Sequence, residues 1–349
     1  MAVPSHLLKA LGIPEPQRNS VLARLWAQPR VANAWVMALD RATRLAERDR
    51  DLGWAVKRLV RAGEVPHPAS DLVADIAEAD AFLRLAWLGI VEPIPRSERP
   101  TPDFRIGQLN VEVCCPLEHQ EERKVMEASL QMDLVGQDGP VRVAIATGYP
   151  TTGSGRSTTH AGEIERDLES KALEYPANKI IDRILSSKWS AHQFRDGSKT
   201  LLWLDLKHGM QFQCRDLLPL SSLMAKGHCL LGTPGIWHAF YGEVGAPLVA
   251  ERSDRAFTVE TYEQRRRGWF REHRNPTGAL VAVVDGVVLL ENPWSENPLS
   301  DDDRQLISGL SELRPEYCWF GAGELGARVA EVLAVLHAFV GPPKDAANV

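Results

Sequence analysis

Apolar residues recur at three- and four-residue spacing through the first third of the chain, the periodicity of helices that bury one stripe. Val31, Trp35, Leu39 and Ala42 form one series, and Leu52, Val56 and Val60 form a second that Gly63 ends. A third covers about 71–88, with Leu72, Val73, Ile76, Ala79, Leu83 and Ala86 on one face and Gly89 as its stop. Basic residues between Arg18 and Arg61 fall mostly on the polar faces of these helices, as a solvated surface does.

The period then changes. Asp103 to Ile106, Leu109 to Cys115 and Val141 to Thr147 read as short strands, with turn chemistry around Gly107 and Gly139. A Ser/Thr/Gly-rich loop covers 150–159, and helices are predicted over 161–173 and 177–192, separated by Pro176. The run Thr200-Leu201-Leu202-Trp203-Leu204-Asp205-Leu206 reads as a buried strand. This order predicts a mixed α/β sheet with helices on its faces. Beyond Lys207 the signals weaken to a hairpin over 279–290, turned at Asp285-Gly286, and a helix over 323–340. The resulting division is a helical region 1–66, an α/β core 67–206 and an α+β extension 207–349.

Composition narrows the class. The 349 residues are 44% hydrophobic and 25% charged, the makeup of a globular protein rather than a collagenous or disordered one. Lys+Arg 40 against Asp+Glu 46 excludes a uniformly basic nucleic-acid coat, though not a local basic groove. The five cysteines include no C-x-x-C pair, which argues against a disulfide framework or a zinc site of paired thiolates. The first residues show no basic segment followed by an apolar one, and no apolar run reaches membrane-spanning length. The expected setting is reducing and cytoplasmic.

Chemistry concentrates in Thr101-Pro102-Asp103 and in Asn110-Val111-Glu112-Val113-Cys114-Cys115. Side chains alternate along a strand, so Glu112 and Cys114 share one face while Val111, Val113 and Cys115 point to the other. Pairing of the two strands as a hairpin brings Asp103 near Glu112. Adjacent carboxylates repel unless a hard cation neutralises them, and Mg²⁺ (or Mn²⁺) suits one or two carboxylates completed by waters and phosphate. The bland alternative is a turn-capping Asp103 and a solvated Glu112.

On these residues the chain resembles the PD-(D/E)XK nuclease superfamily, whose fold is restriction-endonuclease-like. Pro102-Asp103 and Glu112-Val113 match its motif, and a helix–β–β–β–α–β order over about 71–206 resembles its core. The resemblance implies a metal-dependent phosphodiester hydrolase acting on nucleic acid, DNA more than RNA, with Asp103 and Glu112 as metal ligands. It also implies an acid on the preceding helix, for which Glu78 is the candidate. The lysine of the motif is replaced by Cys114. Lys188 is the candidate substitute: at about 100° per residue it falls in the apolar stripe set by Ile181, Ile184 and Leu185, where a lysine needs an acidic partner. Without such a substitute, the resemblance implies a degenerate scaffold that binds nucleic acid or a protein.

The stretch 264–274 is the most basic, and Arg265, Arg266, Arg267 and Arg271 with Trp269 and Phe270 offer cations and rings for nucleic acid. Its alternative is a solvated helix whose two rings dock on the core. Gly321-Ala322-Gly323-Glu324-Leu325-Gly326 matches G-x-G-x-x-G, but no strand can follow its helix, so it reads as a turn. Cys114 and Cys115 also raise a thiol nucleophile, which would need a base such as His119 or His192.

Overall fold

The computed structural model describes residues 5–17, 20–24, 29–48, 50–64, 69–95, 101–116, 176–186, 194, 197–207, 212–225, 228–252, 258–320 and 324–340. The strand expected at 141–147, the loop 150–159 and the helix at 161–173 lie outside these residues, as do Lys188, His119, His192 and Gly321 to Gly323. No helix among the described residues is long and apolar enough to cross a membrane.

The N-terminal helices are α1 (Ser5–Leu11), α2 (Val21–Arg24), α3 (Pro29–Ala46), α4 (Gly53–Arg61) and α5 (Ala69–Leu85). In α3 the stripe expected from spacing is the buried one: Trp35, Ala38, Leu39, Ala42 and Leu45 are fully enclosed. In α4 the enclosed positions are Leu52, Ala55 and Leu59, so Val56 and Val60 sit at the edge of the stripe. α5 is buried on nearly every face, because it lies between the other helices and the sheet. Its buried charges Asp75, Asp80 and Arg84 are accordingly ion-paired.

The sheet that α5 covers has six strands in the order β1-β2-β3-β4-β9-β10. These are β1 (Val91–Pro93), β2 (Phe104–Ile106), β3 (Leu109–Cys114), β4 (Thr200–Asp205), and, much later in the chain, β9 (Pro276–Val283) and β10 (Gly286–Glu291). β1, β2 and β3 are antiparallel; β3, β4 and β9 run parallel; β10 returns antiparallel. α6 (Pro176–Ser186) lies on the connection between β3 and β4. β4, β9 and the end strand β10 are buried at every position, which is why they read as largely apolar runs. Among the described residues the order is helix–β–β–β–α–β, but its first strand is Val91–Pro93, which is not among the strands expected from sequence, and the expected third strand at 141–147 lies outside them. The C-terminal third supplies two of the six strands, and one apolar core runs from Leu7 to Leu336.

Directly paired residues share a face. Phe104, Val111, Leu201 and Trp203 therefore face α4 and α5, where Phe104 meets Phe82 at 5.4 Å and Trp54 at 4.7 Å between ring centroids. Each such aromatic pair contributes about 0.5–1.5 kcal/mol beyond area burial. Glu112 and Cys114, with Leu202 and Leu204, occupy the opposite face.

A second sheet, of order β5-β6-β7-β8, is antiparallel: β5 (Ser221–Ala225), β6 (His228–Gly232), β7 (Pro247–Arg252) and β8 (Thr258–Glu263). α7 (Ile236–Tyr241) interrupts it, and α8 (Trp269–Glu272) follows it. α9 (Asp301–Ser308), capped by Ser300 and Asp303, and α10 (Leu325–Val340) complete the fold.

Candidate functional site

The turn between β2 and β3 is two residues long, and its first residue, Gly107, has φ 57°, a left-handed conformation that costs glycine little. That turn sets Phe104 against Val111, and Asp103, one residue before β2, comes beside Val111 and Val113, the neighbours of Glu112 on β3. Asp103 also ties three strands together. Its amide donates to Val111 O at 3.0 Å, its carbonyl accepts from Ile94 N at 2.9 Å, and its Oδ2 accepts from Val113 N at 2.9 Å. The carboxylate thus continues the ladder where the main chain has turned toward β1. Glu112 is 7% exposed, and Asp103 is half-buried.

Cys114 stands next to this pair. Burial first, then the charges of Glu112, Asp103 and Asp205, push its thiol up to about 12. It is a neutral thiol at physiological pH. This argues against the thiol-nucleophile reading, since the thiolate is the reactive form and needs an electropositive setting. Nor can a neutral thiol supply the charge of the motif lysine.

Glu78 does not join the pair. α5 crosses the opposite face of the sheet, and there Arg58 of α4 reaches Glu78 Oε2 at 2.9 Å and Asp75 Oδ1 at 2.8 Å. Its helix position matches the motif's pattern, but its carboxylate neutralises an arginine between two helices. Lys188 lies outside the described residues.

Two charged residues that sequence reasoning missed stand at the end of β4. Asp205 is buried and its Oδ1 accepts from Lys207 N at 3.0 Å. Lys207 is half-buried; burial pushes its ammonium below the ordinary lysine range, while Asp80 and Asp205 pull it back. The signal was an aspartate closing an apolar strand with a lysine two residues on. Asp80 itself is shared between Arg41 and Arg84, and Glu312 closes the ring from outside.

Arg265, Arg266 and Arg267 are exposed on the loop between β8 and α8. The loop is anchored at Gln264, whose amide donates to His238 O at 3.1 Å and Arg266 O at 2.6 Å, and at Asn178 of α6, which accepts from Arg265 N at 3.1 Å. Gly268 permits the sharp approach to α7: a Cβ there would stand 2.6 Å from Phe240 O. Trp269 and Phe270 dock on the core. Arg271 differs from the other three arginines. It pairs with Glu243 at 2.5 Å, donates to Tyr241 O at 2.6 Å and stacks 4.5 Å over Trp294, so its guanidinium is held by the fold.

Among the described residues, no three His, Cys, Asp or Glu side chains converge as a ready-made metal cage. Asp103 and Glu112 are two carboxylates near each other, and a hard divalent ion held there would need waters to complete its shell. Compared with family models, curated proteins and solved structures, the chain matches none.

Proposed function

We propose that this chain is a metal-dependent nuclease with a restriction-endonuclease-like core, hydrolysing phosphodiester bonds in nucleic acid, DNA more than RNA. The observation that carries the reading is Asp103 hydrogen-bonded to Val111 and Val113, on either side of Glu112, with both acids acting on Cys114, where the motif has its lysine. Among the described residues, a helix–β–β–β–α–β order around it supports the same reading.

Asp103 and Glu112 would hold Mg²⁺ or Mn²⁺, which in such a site acidifies a bound water and offsets charge on the phosphate. Their own contribution is placement. The Asp103–Val113 hydrogen bond fixes one carboxylate, and burial in the sheet fixes the other. Two neighbouring negative charges in a partly desolvated place favour a divalent ion over water alone. The exposed Arg265–Arg267 loop offers cations to the phosphate backbone.

A second reading is supported by Cys114: a neutral thiol in the lysine's place fits a nuclease-like scaffold that binds nucleic acid or a protein without cutting it. Incubation with plasmid and single-stranded DNA in Mg²⁺ or Mn²⁺ separates the two. The nuclease reading expects cutting by wild type and none by Asp103→Asn, which keeps an acceptor for Val113 N but loses the charge. Cutting that survives Asp103→Asn removes this site from the chemistry. Binding without cutting favours the scaffold.

A further inference from the structure

A cleft of about 280 Å³ opens at the other end of the parallel strands, where Pro276 begins β9. Phe194, Trp269, Glu272, His273, Arg274 and Asn275 line it. Its walls are tied together: Asn275 Nδ2 donates to Phe194 O at 3.1 Å, Asn292 Nδ2 to His273 O at 2.9 Å, and Glu296 N to Arg274 O at 2.9 Å. Such a preformed site loses little freedom on binding.

The lining is aromatic below and polar at the rim. Phe194 meets Trp269 edge-on at 5.2 Å between centroids, and Trp269 meets His273 at 5.8 Å. Phe194 and Trp269 are nearly enclosed, whereas His273 is half-buried and Glu272 and Arg274 are exposed. Burial pushes the His273 imidazole below its usual value, which keeps the ring neutral near pH 7. The volume, about 280 Å³, falls just below the span of ligand pockets, roughly 300 to 1,000 Å³. One planar ring system fits that space better than a whole dinucleotide. Arg274, exposed on the lining of the cleft itself, offers a cation to a phosphate beside it.

We infer that this cleft receives one unpaired base of a nucleic-acid strand, stacked against the His273 ring, with Arg274 on the adjoining phosphate. The inference rests on the nucleic-acid reading above and adds to it a preference for single strands, because bases in a duplex are stacked out of reach. Glu272 on the rim discourages a phosphate at its own position and accepts from a base amino group instead.

The test is fluorescence anisotropy of a labelled single-stranded oligonucleotide and of its blunt duplex, in EDTA so that no cutting intervenes. The full chain binds the single strand at least tenfold tighter. His273→Ala loses about fivefold or more on the single strand, on the scale of one stacking contact, while His273→Phe restores it and duplex binding does not move. Equal affinity for the two forms, or His273→Ala indistinguishable from wild type with an unchanged circular dichroism spectrum, overturns the cleft while leaving duplex binding and cutting intact. Binding of neither form overturns the cleft and the nucleic-acid reading together.

Discussion

Replacing Asp80 by alanine removes the centre of a buried charge ring, and its cost follows from the geometry. Asp80 is 2% exposed and accepts from Arg41 and from Arg84 Nε at 2.7 Å; Arg84 is 5% exposed. Glu312, at 37% exposure, closes the ring on Arg41 Nη2 at 2.7 Å and on Arg84. Removing one partner of a buried pair strands the other charge, at about 3–5 kcal/mol. For 349 residues, an unfolding entropy of about 2.1 cal/mol/K per residue turns this into a fall in Tm of about 4–7 °C. Glu312→Gln perturbs an ion pair already open to water and costs no more than about 1 kcal/mol. Urea denaturation of both variants checks the contrast. A loss under about 1 kcal/mol in Asp80→Ala, or equal losses in the two variants, would show that Asp80 does not neutralise the buried arginines.

Two further outcomes are expected. His238 is fully enclosed, with Nδ1 at 2.9 Å from Gln264 Oε1, and burial pushes its pKa down to about 4 from 6.5. Its folded value lies below the unfolded one, so the unfolded chain takes the proton first as pH falls. Stability is full above about pH 6.5 and drops by about 3 kcal/mol by pH 4; urea midpoints across that window should flatten in His238→Gln, and parallel slopes would refute the assignment. Burial pushes the thiols of Cys114 and Cys214 up to about 12 and that of Cys318 up to about 11. Peptide mapping after iodoacetamide at pH 7.5 should find these three unmodified until urea is added, and fast native labelling of Cys114 would reopen thiol chemistry.

Much of the scaffold could be read from periodicity, because its elements bury continuous stripes or runs. The α3 stripe, β4 and the β9–β10 hairpin belong to this group. The hairpin turn falls at Val284-Asp285, one residue before the expected pair. β1 escaped because three residues ending in Pro93 carry no period. The second sheet escaped for a similar reason: β5 and β6 are five residues each, and β8, Thr258–Glu263, mixes threonine and glutamate with its apolar positions. The β2–β3 hairpin, which brings Asp103 beside the strand of Glu112, was legible because a two-residue turn fixes register locally. The partners of Glu78, Asp80 and Arg271 were not, since Arg58, Arg41, Glu312, Glu243 and Trp294 come from other elements. Charge at a helix position reveals a need for a partner, and tertiary packing chooses which.

Titration calorimetry of Mn²⁺ into the metal-free chain addresses the carboxylate pair itself. Wild type should bind one ion, and Asp103→Asn and Glu112→Gln should each abolish that isotherm while retaining the wild-type circular dichroism spectrum. An isotherm unchanged in both variants, or no binding by wild type, would contradict a divalent-ion site at Asp103 and Glu112.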